Sequence, residues 1–143
     1  MCSICERLEE TKKGNDPFLI HEFENSYFVI GDHQFFKGYC QVIYKECVKD
    51  LTSLDSDNQS SLFLEVMRAA SALEKVMKPH RMNYSSLGNV VPHIHFHLFP
   101  RQKDELDSVS QKDPWFHSSD FSKFKTNINE AQKLISLLRK ELQ

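Results

Sequence analysis

Three histidines alternate with apolar residues in the segment NVVPHIHFHLFPR, residues 89–101. Side chains on a β-strand point to opposite faces in turn, so His93, His95 and His97 would project from one face of a strand. Such neighbouring imidazoles can bind a metal ion, or they can share nucleophilic and acid–base work at a phosphate. A solvated strand face is a poorer explanation for three histidines in strict alternation. The segment therefore predicts a reactive or metal-binding face.

Four cysteines provide a second set of reactive side chains. Cys2 and Cys5 form the C-x-x-C pair CSIC, which is typical of a metal half-site or of a redox pair. A redox pair of the thioredoxin type follows a strand, and no strand-like sequence precedes this one, so the pattern favours metal binding.

The composition is that of an ordinary globular protein. Hydrophobic residues make up 40% of the 143 residues and charged residues 27%, so we expect a single domain over 1–143. The net charge of -2 gives no basic field for nucleic acid, and no apolar run approaches the roughly 20 residues that span a bilayer. The N-terminus lacks the apolar segment of a secretory signal. We therefore expect a cytoplasmic protein with reduced cysteines and no nucleic-acid or membrane partner.

Two helical segments are predicted from apolar residues that recur every three or four positions. The first pattern runs from Leu62 to Met77, and Pro79 ends it. The second runs over 121–142, after a polar loop over 102–119. Strand-like segments rich in β-branched and aromatic residues are predicted at 18–24, 26–32, 38–46, 82–88 and 91–99. This order of strands, helix, strands and helix predicts an antiparallel α+β domain.

The segment HIHFHLF resembles the signature of the histidine triad (HIT) superfamily, in which three histidines alternate with apolar residues. CSIC near the start resembles the C-x-x-C pair of many members, and GYCQVIYKECV (38–48) resembles a strand of the same family. The resemblance implies an antiparallel sheet of about five strands with two main helices, in a homodimer whose sheet continues across the interface. It also implies a hydrolase or transferase that acts at the α-phosphate of a nucleotide.

The resemblance assigns a role to each histidine. His95 is the expected nucleophile, which forms a covalent nucleotidyl-histidine that water or another acceptor resolves. His97 is expected to contact the scissile phosphate, where it stabilises charge or protonates the leaving group. His93 would orient His95 or serve a nearby metal, and the mechanism requires no catalytic metal. The substrate stays open between a dinucleoside polyphosphate, such as diadenosine tetraphosphate, and a nucleoside phosphoramidate.

The resemblance also suggests residues that bind the nucleotide. Asn83 and Asn89 lie near family positions of the nucleotide pocket, and the Asp32 carboxylate can accept hydrogen bonds from ribose hydroxyls. Arg101 has two alternatives: it reaches a polyphosphate tail, or it is an ordinary surface arginine. Trp115, with its neighbour in DPWFH, is bulky for a polar loop, so it is expected to cover the pocket or to pack against a second subunit.

Two positions depart from the family pattern. Val90 stands where members carry a Ser or Thr three residues before the triad, so a hydroxyl that could meet the phosphate is missing. Tyr39 stands where members carry a histidine after the glycine of the third strand. These departures leave a second hypothesis open, a non-catalytic, zinc-stabilised module that binds or senses a nucleotide.

In zinc-carrying HIT relatives the metal is held by the C-x-x-C pair, a histidine after the third strand and the first triad histidine. The matching residues here are Cys2, Cys5, Cys47 and His93, so Cys47 replaces a histidine and leaves a Cys3His set that still suits tetrahedral zinc. The alternative is that Cys2 frays and Cys47 is merely buried. Cys40 lies outside the set and is expected to pack as a small apolar residue.

Overall fold

The computed structural model describes residues 1–143 and confirms an α+β fold around one five-stranded antiparallel sheet. No helix is both long and apolar enough to cross a membrane. A 3-10 turn lies at Leu51–Ser53, and a longer 3-10 segment, kinked at His117, spans Pro114–Phe124. The other elements, in chain order, are α1 (Ser3–Lys12), β1 (Leu19–Glu22), β2 (Ser26–Ile30), β3 (Cys40–Tyr44), α2 (Ser56–Met77), β4 (Arg81–Ser85), β5 (His95–Arg101), α3 (Asp107–Ser110) and α4 (Ile128–Glu141).

The strands lie in the order β1-β2-β3-β5-β4, so the histidine strand β5 is inside the sheet between β3 and β4. His95 pairs with Ile43, and His97 pairs with Gln41 on one side and Ser85 on the other. Hydrogen bonds to two neighbouring strands hold the β5 backbone along its length. The histidines of β5 are therefore presented by an interior strand of the sheet.

Helices α2 and α4 cover one face of the sheet, and the main core lies between them and the strands. Ile94 and Leu98 are buried in this core, and Phe96 packs against it, as the alternation of the segment predicts. Each fully buried side chain of this size contributes about 1.5–3 kcal/mol of hydrophobic free energy. These residues therefore anchor β5 from behind, while the residues between them face the opposite side.

Helix α2 ends where the sequence predicts and begins at Ser56, six residues before the first apolar position of the predicted pattern. The Asp55 side chain accepts a hydrogen bond from the backbone N–H of Asn58, which satisfies one free donor of the first turn. The helix ends at Met77 because Lys78 adopts a left-handed conformation with φ of 49° and Pro79 follows.

Helix α1 covers part of the other face, and the sequence analysis did not predict it. Its Leu8 is buried against Tyr27, Val29 and Ile43 of the sheet. The Cys2 sulfur accepts a hydrogen bond from the backbone N–H of Cys5 and caps the first turn. The C-x-x-C pair thus starts a helix that packs beside the histidine strand.

The C-terminal helix prediction was too long. Helix α4 begins at Ile128, because the Asn127 side chain accepts hydrogen bonds from the backbone N–H groups of two residues in its first turn. Phe121 instead belongs to the 3-10 segment, where it packs with Phe36, Tyr39 and Phe99 on the face that α1 shares. The predicted loop over 102–119 likewise contains α3 and the start of that 3-10 segment.

Arg101, at the end of β5, is neither a surface arginine nor free to reach a polyphosphate. Its side chain is 5% exposed, and its guanidinium donates to the Glu105 carboxylate, the Asn83 side chain and the backbone carbonyls of Val109 and Lys112. The guanidinium also lies over the Phe36 ring, 4.7 Å from its centroid. These bonds occupy all five N–H groups, so Arg101 holds the following segment against the sheet.

Candidate functional site

A cavity of about 400 Å³ lies on the α1 face of the sheet, at His95 and His97. Asp32 and Asn89, two of the residues predicted to bind a nucleotide, also line it. Asn83 does not line it, because the Asn83 side chain accepts a hydrogen bond from Arg101 at 2.8 Å. The structure therefore brings together four of the predicted site residues and leaves Asn83 in a neighbouring depression.

His95 is buried, and its hydrogen bond fixes which ring nitrogen carries the proton. Its Nδ1 lies 2.6 Å from the backbone carbonyl of His93. A carbonyl only accepts, so Nδ1 must be the protonated nitrogen. In the neutral ring, Nε2 then keeps a free electron pair. His95 is one of the residues that line the cavity. This arrangement is what a nucleophilic imidazole requires.

His97 is held through its Nδ1 by the third strand. The Tyr39 hydroxyl lies 2.6 Å from His97 Nδ1, and Gln41 Nε2 lies 2.9 Å from the Tyr39 oxygen and 3.3 Å from the same Nδ1. Burial lowers the pKa of His97 to about 3, with smaller contributions from the nearby His95 and His33. The His97 ring is therefore neutral at pH 7.

The depressed pKa of His97 makes the fold sensitive to acid. Below about pH 6.5, the ordinary value for histidine, the unfolded chain binds a proton at this residue that the folded chain does not take up until about pH 3. Stability is therefore lost as the pH falls through this window, by about 2 kcal/mol at pH 5. We expect His97→Asn to remove the contribution of His97 to the loss of folding stability on acidification.

Urea unfolding of wild type and His97→Asn at pH 7.5 and pH 5 measures the effect. The exposed His80, replaced by asparagine, is the matched control and should behave as wild type does. An equal loss of stability on acidification in wild type and His97→Asn would contradict the assignment of a buried, neutral His97.

His93 lies just before β5, because the strand begins at His95, four residues after the start of the predicted 91–99 segment. Its Nε2 donates to the backbone carbonyl of Tyr44 at 2.8 Å, so its Nδ1 is the nitrogen with the free electron pair. This Nδ1 lies 3.6 Å from the Cys2 sulfur and 3.5 Å from the Cys5 sulfur. Since His93 faces the cysteines, the three histidines do not converge on one metal.

The ligand atoms of Cys2, Cys5, Cys47 and His93 all lie within 4.8 Å of one another. Tetrahedral zinc with bonds of about 2.0–2.3 Å separates its ligand atoms by about 3.5–3.8 Å, so the cluster fits the ion after small adjustments. The hydrogen bond to Tyr44 orients the imidazole as metal-bound histidines require. Cys40 lies apart, fully buried in the main core as predicted.

Helix α1 contributes three residues of the cavity wall that the sequence analysis missed. Ser3, Ile4 and Arg7 come from α1, and the Arg7 side chain is oriented by a 2.9 Å ion pair with Asp16. Gln41 of β3 also lines the cavity, and the two-residue period of that strand could have indicated it.

Trp115 covers the cavity, which was one of its two predicted alternatives. Its ring lies edge-on to His97 with centroids 4.7 Å apart, and its indole N–H donates to the Ser85 hydroxyl at 3.0 Å. Val90 lies at the cavity mouth and is 93% exposed, and as a valine it offers no hydroxyl there. The 3-10 segment and the loop before β5 thus frame the entrance.

Comparison with known proteins agrees with this geometry. The HIT domain model matches residues 12–104, and no curated protein matches the sequence. A histidine triad protein from Sinorhizobium meliloti has 20% identity and a TM-score of 0.76, over 95% of this chain and 93% of that one. A Zn-bound histidine triad family protein from Mycobacterium smegmatis has 24% identity and a TM-score of 0.67, over 99% and 92%.

The family model matches well over half of the chain. The histidine strand, the sheet order and the cavity described above support the same family assignment. The chain therefore belongs to the HIT domain family, whose members are generally nucleotide-binding hydrolases or transferases.

Proposed function

We propose that the chain is a nucleotide hydrolase or transferase in which His95 attacks the α-phosphorus of a (di)nucleoside polyphosphate or a nucleoside phosphoramidate. The 2.6 Å hydrogen bond from His95 Nδ1 to the His93 carbonyl carries this proposal, because it leaves Nε2 as the free nucleophile. The same carbonyl stabilises the positive charge that the ring acquires when Nε2 bonds to phosphorus. The covalent nucleotidyl-histidine divides one displacement into two easier steps.

The other cavity residues are proposed to bind the nucleotide. His97 contacts the oxygens of the scissile phosphate, and the Asn89 amide donates to phosphate from the loop before β5. Asp32 lies on the wall, where its carboxylate can accept from the ribose hydroxyls. Asn83 acts only through Arg101, because its side-chain oxygen is already bonded there.

A zinc ion bound by Cys2, Cys5, Cys47 and His93 is proposed to hold the structure together. Such an ion crosslinks α1 to the loop after β3 and to the residue before β5. His93 would then be held on two sides, by the metal at Nδ1 and by Tyr44 at Nε2. Because its carbonyl orients His95, a rigid His93 also keeps the nucleophile in place. We include the whole chain, 1–143, in this single HIT domain.

Turnover in water enriched in ¹⁸O tests the proposed reaction. If His95 attacks the α-phosphorus and water resolves the intermediate, the released nucleoside monophosphate carries one ¹⁸O. Diadenosine tetraphosphate and adenosine 5′-phosphoramidate are the two test substrates. Tight binding of a mononucleotide without turnover of either compound would favour the nucleotide-binding module, for which Val90 at the mouth is the supporting observation.

We also propose that the chain forms a homodimer. Strand β4 is an edge of the sheet, and the large apolar side chains of Phe63, Leu64 and Tyr84, on α2 and β4, are between 45% and 64% exposed. An open sheet edge and exposed apolar side chains are both features suited to pairing with a second copy. Light scattering should give about twice the mass of the 16.7 kDa chain. A mass of one chain at micromolar concentration would contradict the proposal.

A further inference from the structure

Tyr39 and Gln41 form a chain of hydrogen bonds that ends on His97. The Gln41 amide donates to the Tyr39 oxygen at 2.9 Å, so the Tyr39 proton must go to another acceptor. His97 Nδ1, at 2.6 Å, is that acceptor. Gln41 approaches the same nitrogen at 3.3 Å, which is compatible only with an unprotonated Nδ1. The neutral His97 ring therefore carries its proton on Nε2.

The surroundings of Tyr39 preserve this direction of donation. Tyr39 is 1% exposed, and its ring is stacked against His33 and against Phe99, with centroid distances of 4.5 and 4.3 Å. Burial raises its pKa well above the ordinary value, so the phenol keeps its proton. Protonation of His97 at Nδ1 would leave the Tyr39 hydroxyl accepting twice, with no partner for its own hydrogen.

We propose that Tyr39, supported by Gln41, fixes His97 as a neutral Nε2–H donor and thereby selects phosphoanhydride substrates over phosphoramidates. Tyr39 is a positioning residue, since it acts on the substrate only through His97. The inference rests on the proposed function and deepens it, because it names the class of leaving group.

The proton requirement of the leaving group is the reason for this substrate selection. In the first step His95 Nε2 supplies the electron pair of the new N–P bond, the P–O bond breaks, and its electrons leave on the oxygen of a phosphate anion. No proton is needed, and the His97 Nε2–H stabilises charge on the phosphoryl oxygens. Water then forms a new P–O bond, the P–N bond breaks, the electron pair returns to His95, and the proton of water goes to solvent.

An amine leaving group has a different requirement. When the P–N bond of a phosphoramidate breaks, the nitrogen must gain a proton, because an amide anion is too basic to leave. A neutral His97 could supply that proton only by becoming an imidazolate or by drawing the proton of Tyr39 onto Nδ1, and burial raises the pKa of Tyr39 well above its ordinary value. His97 would have to be protonated on both nitrogens first, and the hydrogen bond from Tyr39 opposes this.

The experiment compares kcat/KM for diadenosine tetraphosphate and adenosine 5′-phosphoramidate in wild type, Tyr39→Phe and Tyr39→His. Wild type should favour the anhydride by at least about 100-fold, the contribution expected of a general acid. Both variants should lower this ratio by about tenfold or more, since they remove the hydroxyl that donates to Nδ1. Ring ¹⁵N shifts of His97 should show the Nε2–H form in wild type.

Three results would overturn the inference: equal use of both substrates by wild type, variants that lose both activities in proportion, or an Nδ1–H ring in wild type. Proportional losses are what a merely structural role of Tyr39 would give. If neither variant folds, the wild-type ratio and the ring ¹⁵N shifts still decide. Failure of the proposed function is distinguishable, since neither substrate would then yield labelled monophosphate.

Discussion

Replacing His95 by alanine will abolish nucleotide turnover. The variant loses the only imidazole in the cavity whose Nε2 has a free electron pair, and the remaining residues can bind a nucleotide but cannot form the covalent intermediate. Loss of a nucleophile that acts with its partners as a unit reduces kcat by about 10⁴-fold or more. Steady-state release of nucleoside monophosphate measures the effect.

The matched control is His80→Ala, which removes an exposed histidine outside the cavity and should leave kcat unchanged. Circular dichroism and zinc content should be the same in wild type and in both variants, because His95 is not among the metal ligands. Turnover by His95→Ala at a wild-type rate would show that another group performs the attack.

Removing the proposed zinc ion will lower the thermal stability of the chain substantially. The four ligands come from α1, the loop after β3 and the residue before β5, so the ion joins segments that are distant in sequence. A metal present at about 1,000 times its dissociation constant contributes about 4 kcal/mol. For a chain of this size that corresponds to a fall in Tm of about 10 °C on chelation. Calorimetry with and without a chelator checks this.

Cys5→Ser is the corresponding variant, and it should bind less than one zinc per chain and melt at the temperature of the chelated wild type. Cys40→Ala is the matched control, since Cys40 lies in the main core away from the ligands and its loss should not change zinc content. One tightly bound zinc in Cys5→Ser, or a wild-type Tm that chelation does not move, would contradict the site.

The face of the histidine strand was predictable because a two-residue period needs no tertiary information. Ile94 and Leu98 are in the core and His95 and His97 line the cavity, as that period requires. Cys47 could be added to the C-x-x-C pair from its place in the resembling segment, and the structure puts its sulfur beside the others. Local pattern was sufficient for the histidine strand, whereas the place of Cys47 was inferred from the family resemblance.

The parts that were missed depend on how distant segments pack. The contact from Tyr39 to His97 follows from the pairing of β3 with β5, and residue spacing gives no register between two strands. Phe121 and Phe124 have helical spacing, but packing on aromatic residues of β5 and of the loop between β2 and β3 keeps them outside α4. The position of Arg7 in the cavity wall likewise depends on how α1 docks.

Mass spectrometry of the intact protein tests the central claim most directly. Wild type and His95→Ala are mixed briefly with diadenosine tetraphosphate or adenosine 5′-phosphoramidate and quenched at alkaline pH, at which a phosphorus–histidine bond persists. The account predicts an added nucleotidyl mass on wild type alone, located on His95 by peptide mapping. The same adduct on His95→Ala, or turnover by wild type without any adduct under single-turnover conditions, would contradict it.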